Sequence, residues 1–448
     1  MRRDKHLQIR RLISTLVPGE IDARCRAIPP NHNILLFPKG ISTLSRISGH
    51  EHKKMCSILL GLIVGLPVLD GHDSSCIVKS TRVLLDFLFV AQYGSHTTAS
   101  IECLQDSLAA FHNSKAVFVD LGVRENFNLP KLHSLIHYMS SIRLFGTTDN
   151  YNTEQSERLH INLTKDAYCA TNCKDEYPQM TAWLERQEKI EWHTAFIDMK
   201  QKDLQQRAQP QRIIGPPHAH AQSVKMACHP SAKATTFDDL KFRYSALKFQ
   251  DALADFIAQV NNPGIRGNAL RTHAEDTLIP FRHVPVLHII KFTETRNVKE
   301  TGTIDSMHAQ PEQRDTRKRI IPSHFDTILV QNPSQDTKQG RVKGTNSHCL
   351  SVNVTDWCSG LQIAQVCTIF HLPKKTVHEV CPLLDTSPAS HLVYVEWFSP
   401  LTATPNSPHL MHRVSRLMKG GERRAGIIPV DWVLRSVHLL PCFGPVIP

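Results

Sequence analysis

A chain of 448 residues is long enough for two or three domains and a sizeable core. Hydrophobic content of 41% and charged content of 21% are those of a folded protein, and they exclude a fibrous or wholly disordered chain. The formal net charge of +11 favours polyanionic partners, and the 26 histidines would add to it in acid.

The twelve cysteines scatter without a CxxC pair, which reads as reduced, mostly buried thiols in an intracellular protein. Met1-Arg2-Arg3-Asp4-Lys5-His6 has charge but no apolar run after it, so no secretory leader is expected. The longest apolar run, Ile58 to Leu69, contains Pro67 and two glycines. It is too short to span a bilayer and reads as a core helix.

In chain order, 1–45 reads as a basic, poorly ordered entry. Ser48 with Glu51 forms a capping box for a helix through Val64, with Ile58, Leu59, Leu62 and Ile63 as its buried stripe. Further helices are expected over Ser75–Tyr93 and Ser100–His112; Ala116–Leu121 suits a short strand or a continued helix. Pro130 opens the next helix, in which Leu132, Leu135, Ile136, Met139 and Ile142 recur at helical spacing. His133 and His137, four apart, share one of its faces. Gly146 breaks it, and Asn152 with Gln155 can cap a second helix carrying Glu154, Glu157, Arg158 and His160. A long helix follows over about Pro178–Gln206. Its expected apolar side is Met180, Trp183, Leu184, Ile190, Trp192 and Phe196, and its charged side a solvated face.

Proline pairs and small residues make 208–236 a linker. Helix Asp238–Val260 comes next, stopped by Asn262-Pro263-Gly264. Strands are expected at Val284–Phe292, Ile320–Gln331, Leu361–Leu372, His391–Phe398, Leu410–Leu417 and Gly426–Val430. Thr301–Arg319 and Asn332–Asn346 read as mobile polar insertions. The fold class is therefore α+β: a helical half over 46–207, then a helix and a small β-rich module over 237–448.

Several words in order carry a resemblance: IDARCRAIPPNHNILLFPKGISTLSRISGHEHKKMCSILLGL, LPKLHSLIHYMSSIRLFGTTDNYNTEQSERLH, DEYPQMTAWLERQEKIEWHTAF, VYVEWFSP and AGIIPVDWVLRSVHLLPCFGPV. Together they resemble the C-terminal part of Plavaka-type fungal (basidiomycete) transposases, within the Kyakuja–Dileera–Zisupton and CACTA-like group. The resemblance implies an RNase H-like DDE catalytic core, whose helical insertion and last helix would be the helical half here. It implies Mg²⁺ or Mn²⁺ held by two aspartates and a glutamate, and nuclear location. Glu157 is then the first choice for the last acid and Glu154 the second. Arg158, His160, His133 and His137 would support that carboxylate or contact phosphate. The two other acids belong upstream of IDARCRAIPP, where only Asp4 and Asp22 stand. The expectation is a truncated chain without strand-transfer activity, retaining non-specific DNA affinity.

A rival metal set, His133, His137 and His160 with Cys169 and Cys173, has the i, i+4 histidine pair of a zinc site but loose cysteine spacing. A second, His218, His220 and His229 with Cys228, lacks tetrahedral spacing, and no metal site is assigned. Basic residues cluster at Arg2–Arg11, Lys39–Lys54, Arg314–Arg319 and Arg413–Arg424. Arg314, Arg317, Lys318 and Arg319 form the densest patch and the candidate nucleic-acid contact. Expected partners are DNA and a second copy of the chain, with no membrane. The alternatives are a non-enzymatic protein-interaction scaffold or a poorly folding relic with exposed apolar stripes.

Overall fold

The computed structural model describes residues 18–44, 47–66, 74–151, 158–208, 222–227, 229–262, 264–265, 267–294, 304–314, 316–331, 361–373, 376–381, 391–402 and 404–443. It is a mixed α+β protein, with helices mostly in the N-terminal part and antiparallel strands in the C-terminal part. Two compact units are present: one combines 1–86, 106–129 and 220–448, the other 87–105 and 130–219.

The core of the first unit is built from β1 (Gln222–Met226), β2 (Ala232–Thr236), β3 (His283–Leu287), β4 (Ile289–Glu294), β5 (Ile304–Gln310), β6 (Gln313–Arg314), β7 (Ile320–Ile321), β8 (His324–Phe325), β9 (Thr327–Gln331), β10 (Leu361–His371), β11 (His391–Trp397), β12 (Met418–Lys419), β13 (Glu422–Arg423), β14 (Ala425–Pro429) and β15 (Val433–Val437). One sheet runs β14-β11-β10-β3-β2, with β9 paired to β10 and β15 to β9; a second runs β1-β4-β5-β8. The sequence LQIAQVCTIFH puts apolar groups on both faces of β10, so this strand is covered on both sides. On one face Phe370 meets Phe249, Leu253 and Phe256 of helix Phe249–Asn261. On the other, Val366 and Ile369 join Phe292 and Met307 of the second sheet. Helices, large sheet and small sheet thus form three layers around β10. Each fully buried aliphatic or aromatic side chain there contributes about 1.5–3 kcal/mol.

The N-terminal segment belongs to this same unit. Ser48 and Glu51 form the expected capping box at the start of helix Gly49–Ile63. At its other end the last carbonyls need donors, as at any helix C-terminus. Arg24, on helix Pro18–Ala27, supplies them. Its fully buried guanidinium donates to the carbonyls of Leu62 at 2.9 Å and Val64 at 2.7 Å, and to Glu20 Oε1 at 3.0 Å. It also lies 5.0 Å from the centre of the Phe443 ring. Gly61 lets the C-terminal stretch come close, since an added Cβ would stand 2.2 Å from Leu440 Cδ1. Asp22 accepts the Ile41 and Ser42 N–H groups at 2.8 and 3.0 Å and so fixes the loop after the helix. Gly40, at φ 82°, presses against that carboxylate.

In the second unit, helix Pro130–Ser134, a 3-10 turn and helix Tyr138–Phe145 replace the single helix expected after Pro130. The Thr148 hydroxyl donates to the Ala91 carbonyl at 3.0 Å, and the Phe87 ring meets Tyr138 edge-on. The long helix is Glu176–Ala208. Met180, Trp183 and Leu184 are half-buried, but Ile190, Trp192 and Phe196 are exposed.

Other elements differ from the sequence reading for local reasons. The stretch read as linker contains β1 and β2. The helix expected over Asp238–Val260 is two, Phe237–Arg243 and Phe249–Asn261, because Ser245 turns through φ 58° between them. The insertion read as mobile at Thr301–Arg319 contains β5, whose Met307 and Ala309 are fully buried. Leu410–Leu417 forms isolated bridges, Asn406 to Met411 and Phe398 to Arg416, and no strand. The insertion at Asn332–Asn346 lies outside the described residues.

Arg24→Ala leaves the Leu62 and Val64 carbonyls without their donor and removes the guanidinium that lies over Phe443. The expected cost is about 3–5 kcal/mol in the first unit, read as a lower urea midpoint of tryptophan fluorescence.

Candidate functional site

The sequence places its candidate acid on the hairpin of the second unit. Glu154 and Glu157 lie outside the described residues. Arg158 and His160 are exposed, as are His133 and His137, whose rings meet edge-on with centres 5.2 Å apart. Cys169 and Cys173 are exposed too. Among the described residues, the histidines and cysteines of the rival zinc set do not converge on a common point. Upstream, Asp4 is outside the described residues, and the Asp22 carboxylate is engaged by the loop it caps.

The basic residues divide into two groups. Arg314, Arg317, Lys318 and Arg319 are all exposed on the hairpin in which β6 pairs with β7. Gln313 opposes Ile321 and Arg314 opposes Ile320, and Lys318 at φ 61° helps to reverse the chain. The four cations are thus held together on a short ribbon in solvent.

The Arg413–Arg424 group behaves differently. Arg416 and Arg423 both bond Glu396 Oε2, at 3.3 and 2.8 Å, and that carboxylate side chain is 4% exposed. Arg416 also stacks over Phe398 at 4.7 Å. These two cations neutralise a carboxylate buried on β11, and they hold the β12–β13 hairpin against it. The hairpin rims a cleft of about 1210 Å³ that Phe256, Trp397 and Trp432 help to line. Lys248 pairs with Glu422 across it.

A cluster that sequence reasoning missed lies where the N-terminal loop meets the sheets. The chain leaves the small sheet at β8 and enters the large one at β9, and Asp326 is the residue between them. Its N–H donates to the His308 carbonyl and its carbonyl accepts from Val366, so its backbone is fixed on both sides. The buried carboxylate accepts from the His308 N–H at 2.8 Å and His308 Nδ1 at 3.0 Å on Oδ2, and from His324 Nε2 at 2.8 Å on Oδ1. Burial pushes this carboxyl up, but the hydrogen bonds from His308 and His324 outweigh it and hold its pKa at about 2. The His308 and His324 rings stack with centres 4.8 Å apart. His32, from the loop after helix Pro18–Ala27, places Nε2 2.9 Å from Asp305 Oδ1. Burial lowers the pKa of that imidazole, against the pull of Asp305. The one local sign of this site is the His-x-Asp spacing of His324 and Asp326.

Comparison with known proteins finds no matching family model, no matching curated protein and no matching solved structure.

Glu396→Gln removes the charge that holds Arg416 and Arg423 together. We expect a loss of about 2–4 kcal/mol that added salt partly restores by screening the two guanidinium groups. Thermal unfolding at low and high ionic strength checks this; equal losses at both would contradict it.

Proposed function

We propose that the chain is a transposon-derived protein, related to the C-terminal part of Plavaka-type transposases, that binds DNA without cutting it. The observation that carries the binding half is the exposed β6–β7 ribbon with Arg314, Arg317, Lys318 and Arg319 at its turn. Four clustered cations in solvent suit phosphate contacts, which release counterions and need no base reading. The net charge of +11 favours the same partner and gives it a long-range attraction. The family origin rests on the ordered sequence words, and the RNase H-like ancestry of the helical half goes with them.

The non-cutting half rests on the acids. By the resemblance, Glu157 or Glu154 is only the last of three acids that would hold the two Mg²⁺ or Mn²⁺ ions such chemistry needs. Asp22 is committed to capping a loop. In a nuclear protein of this kind, binding would outlast catalysis.

Salt dependence tests the binding. Four phosphate contacts predict a slope of log K against log[salt] of about −3.6 on duplex DNA, and Arg314→Ala with Lys318→Ala should flatten it by about 1.8. A slope unchanged by the double substitution would refute the ribbon as the interface.

Cleavage is tested separately. Supercoiled plasmid incubated with the purified chain and Mn²⁺ should stay intact. Nicking that Glu157→Gln abolishes would show a working catalytic acid and overturn this half of the reading.

A second reading, a protein-interaction scaffold, is favoured by helix Glu176–Ala208. Tyr177 is 76% exposed and Trp192 73%, and Phe196 stands exposed one turn further on. That apolar side fits self-association. A concentration-dependent rise in mass by light scattering, lost in Trp192→Glu, would support it.

A further inference from the structure

We propose that His32, His308 and Asp326 form a binding site for a divalent transition-metal ion of the Zn²⁺ class, joining the N-terminal loop to the β-module. Each side chain offers one ligand atom, and the three atoms lie within 4.8 Å of one another. In a tetrahedral site, ligands about 2.1 Å from the ion stand about 3.4 Å apart, so the widest pair of this cluster closes by up to about 1.4 Å when a metal enters. Two imidazoles and one carboxylate suit Zn²⁺, Co²⁺ or Fe²⁺; a hard ion such as Mg²⁺ prefers oxygen alone.

The surrounding groups argue for more than proximity. His32 Nε2 faces Asp305 Oδ1, while its Nδ1 is buried with no hydrogen-bond partner. A proton on Nε2, donated to Asp305, leaves a lone pair on Nδ1. A carboxylate behind a histidine in this way is the usual support of a metal ligand, because it fixes the tautomer and raises the ring's basicity. Asp305 is itself held: Ser436 donates to it through N–H and hydroxyl, each at 2.7 Å, and Ser306 through its N–H at 2.9 Å. The Ser306 N–H is also within donating distance of His32 Nε2, at 3.2 Å, but Asp305 Oδ1 takes it at 2.9 Å, which leaves the Nε2 proton for Asp305. The Asp326 side chain is fully buried and turns its carboxylate oxygens towards the histidines, the donor type a cation site needs. His324 steadies its other oxygen at 2.8 Å. Three protein ligands leave at least one coordination position for water or an anion.

The ligands come from positions 32, 308 and 326, so the ion would join segments far apart in the chain. This site is separate from the basic ribbon, and its failure would leave the DNA reading standing. The test uses the untagged full chain, stripped with a chelator and titrated with Co²⁺ while visible absorption is followed. One equivalent should bind ahead of any weaker histidine sites, and one equivalent of Zn²⁺ should displace it and raise the melting temperature. Asp305→Asn should weaken binding about 10–100-fold, and His32→Gln by more. His32 lies on a loop, so that variant should fold, as circular dichroism would show; His133→Gln should bind as the parent does. Absence of a one-equivalent phase, or a phase that survives both His32→Gln and Asp305→Asn, would overturn the site.

Discussion

The first unit depends on one buried guanidinium. Arg24 is fully buried and turns its charge to the last carbonyls of helix Gly49–Ile63, to Glu20 and to the face of Phe443. A buried charge of this kind is tolerated only when every donor has a partner, and here the partners come from both ends of the unit. The other ties of the N-terminal segment run beside it. His32 reaches Asp305, His438 bonds the Pro29 carbonyl, and Gly61 admits Leu440. The described segment over 18–44 and 47–66 is therefore a working part of the β-module rather than a loose entry to it.

That arrangement explains where the polar chemistry collects. A strand with one face on the core can carry polar groups on the other, and β5 does so: Met307 and Ala309 are buried while His308 faces the N-terminal loop. Asp326 sits where the chain changes sheets, so its backbone is paired to both sheets and its carboxylate is turned inward. The basic ribbon, by contrast, is pushed out of the fold as a short hairpin between β5 and β8. Cations that must neutralise Glu396 are kept near the surface of the large sheet, and those of the ribbon stay in solvent. The same residue type thus serves packing in one place and stands exposed in the other.

Much of the fold was legible in the sequence where a local rule decides. The Ser48–Glu51 capping box marks a helix start to the residue, and the continuous apolar runs of β10 and β11 mark the covered centre of a sheet. The breaks were not legible. Apolar periodicity runs on through Ser245, and only the left-handed turn there, which a serine does not advertise, divides the helix. β5 hid inside a polar insertion because half its residues are polar for the sake of the cluster they face. The basic patch was legible because four cations lie within six positions. The His32–His308–Asp326 grouping was not, since its members are separated by hundreds of residues among 26 histidines.

The central claim is that the N-terminal segment and the β-module unfold as one body. Native-state hydrogen exchange, followed peptide by peptide in low denaturant, tests it most directly. The account predicts that amides of helix Gly49–Ile63 and of β10 and β15 open with the same free energy and the same denaturant dependence. Independent opening of the helix, with β10 and β15 still protected, would contradict it.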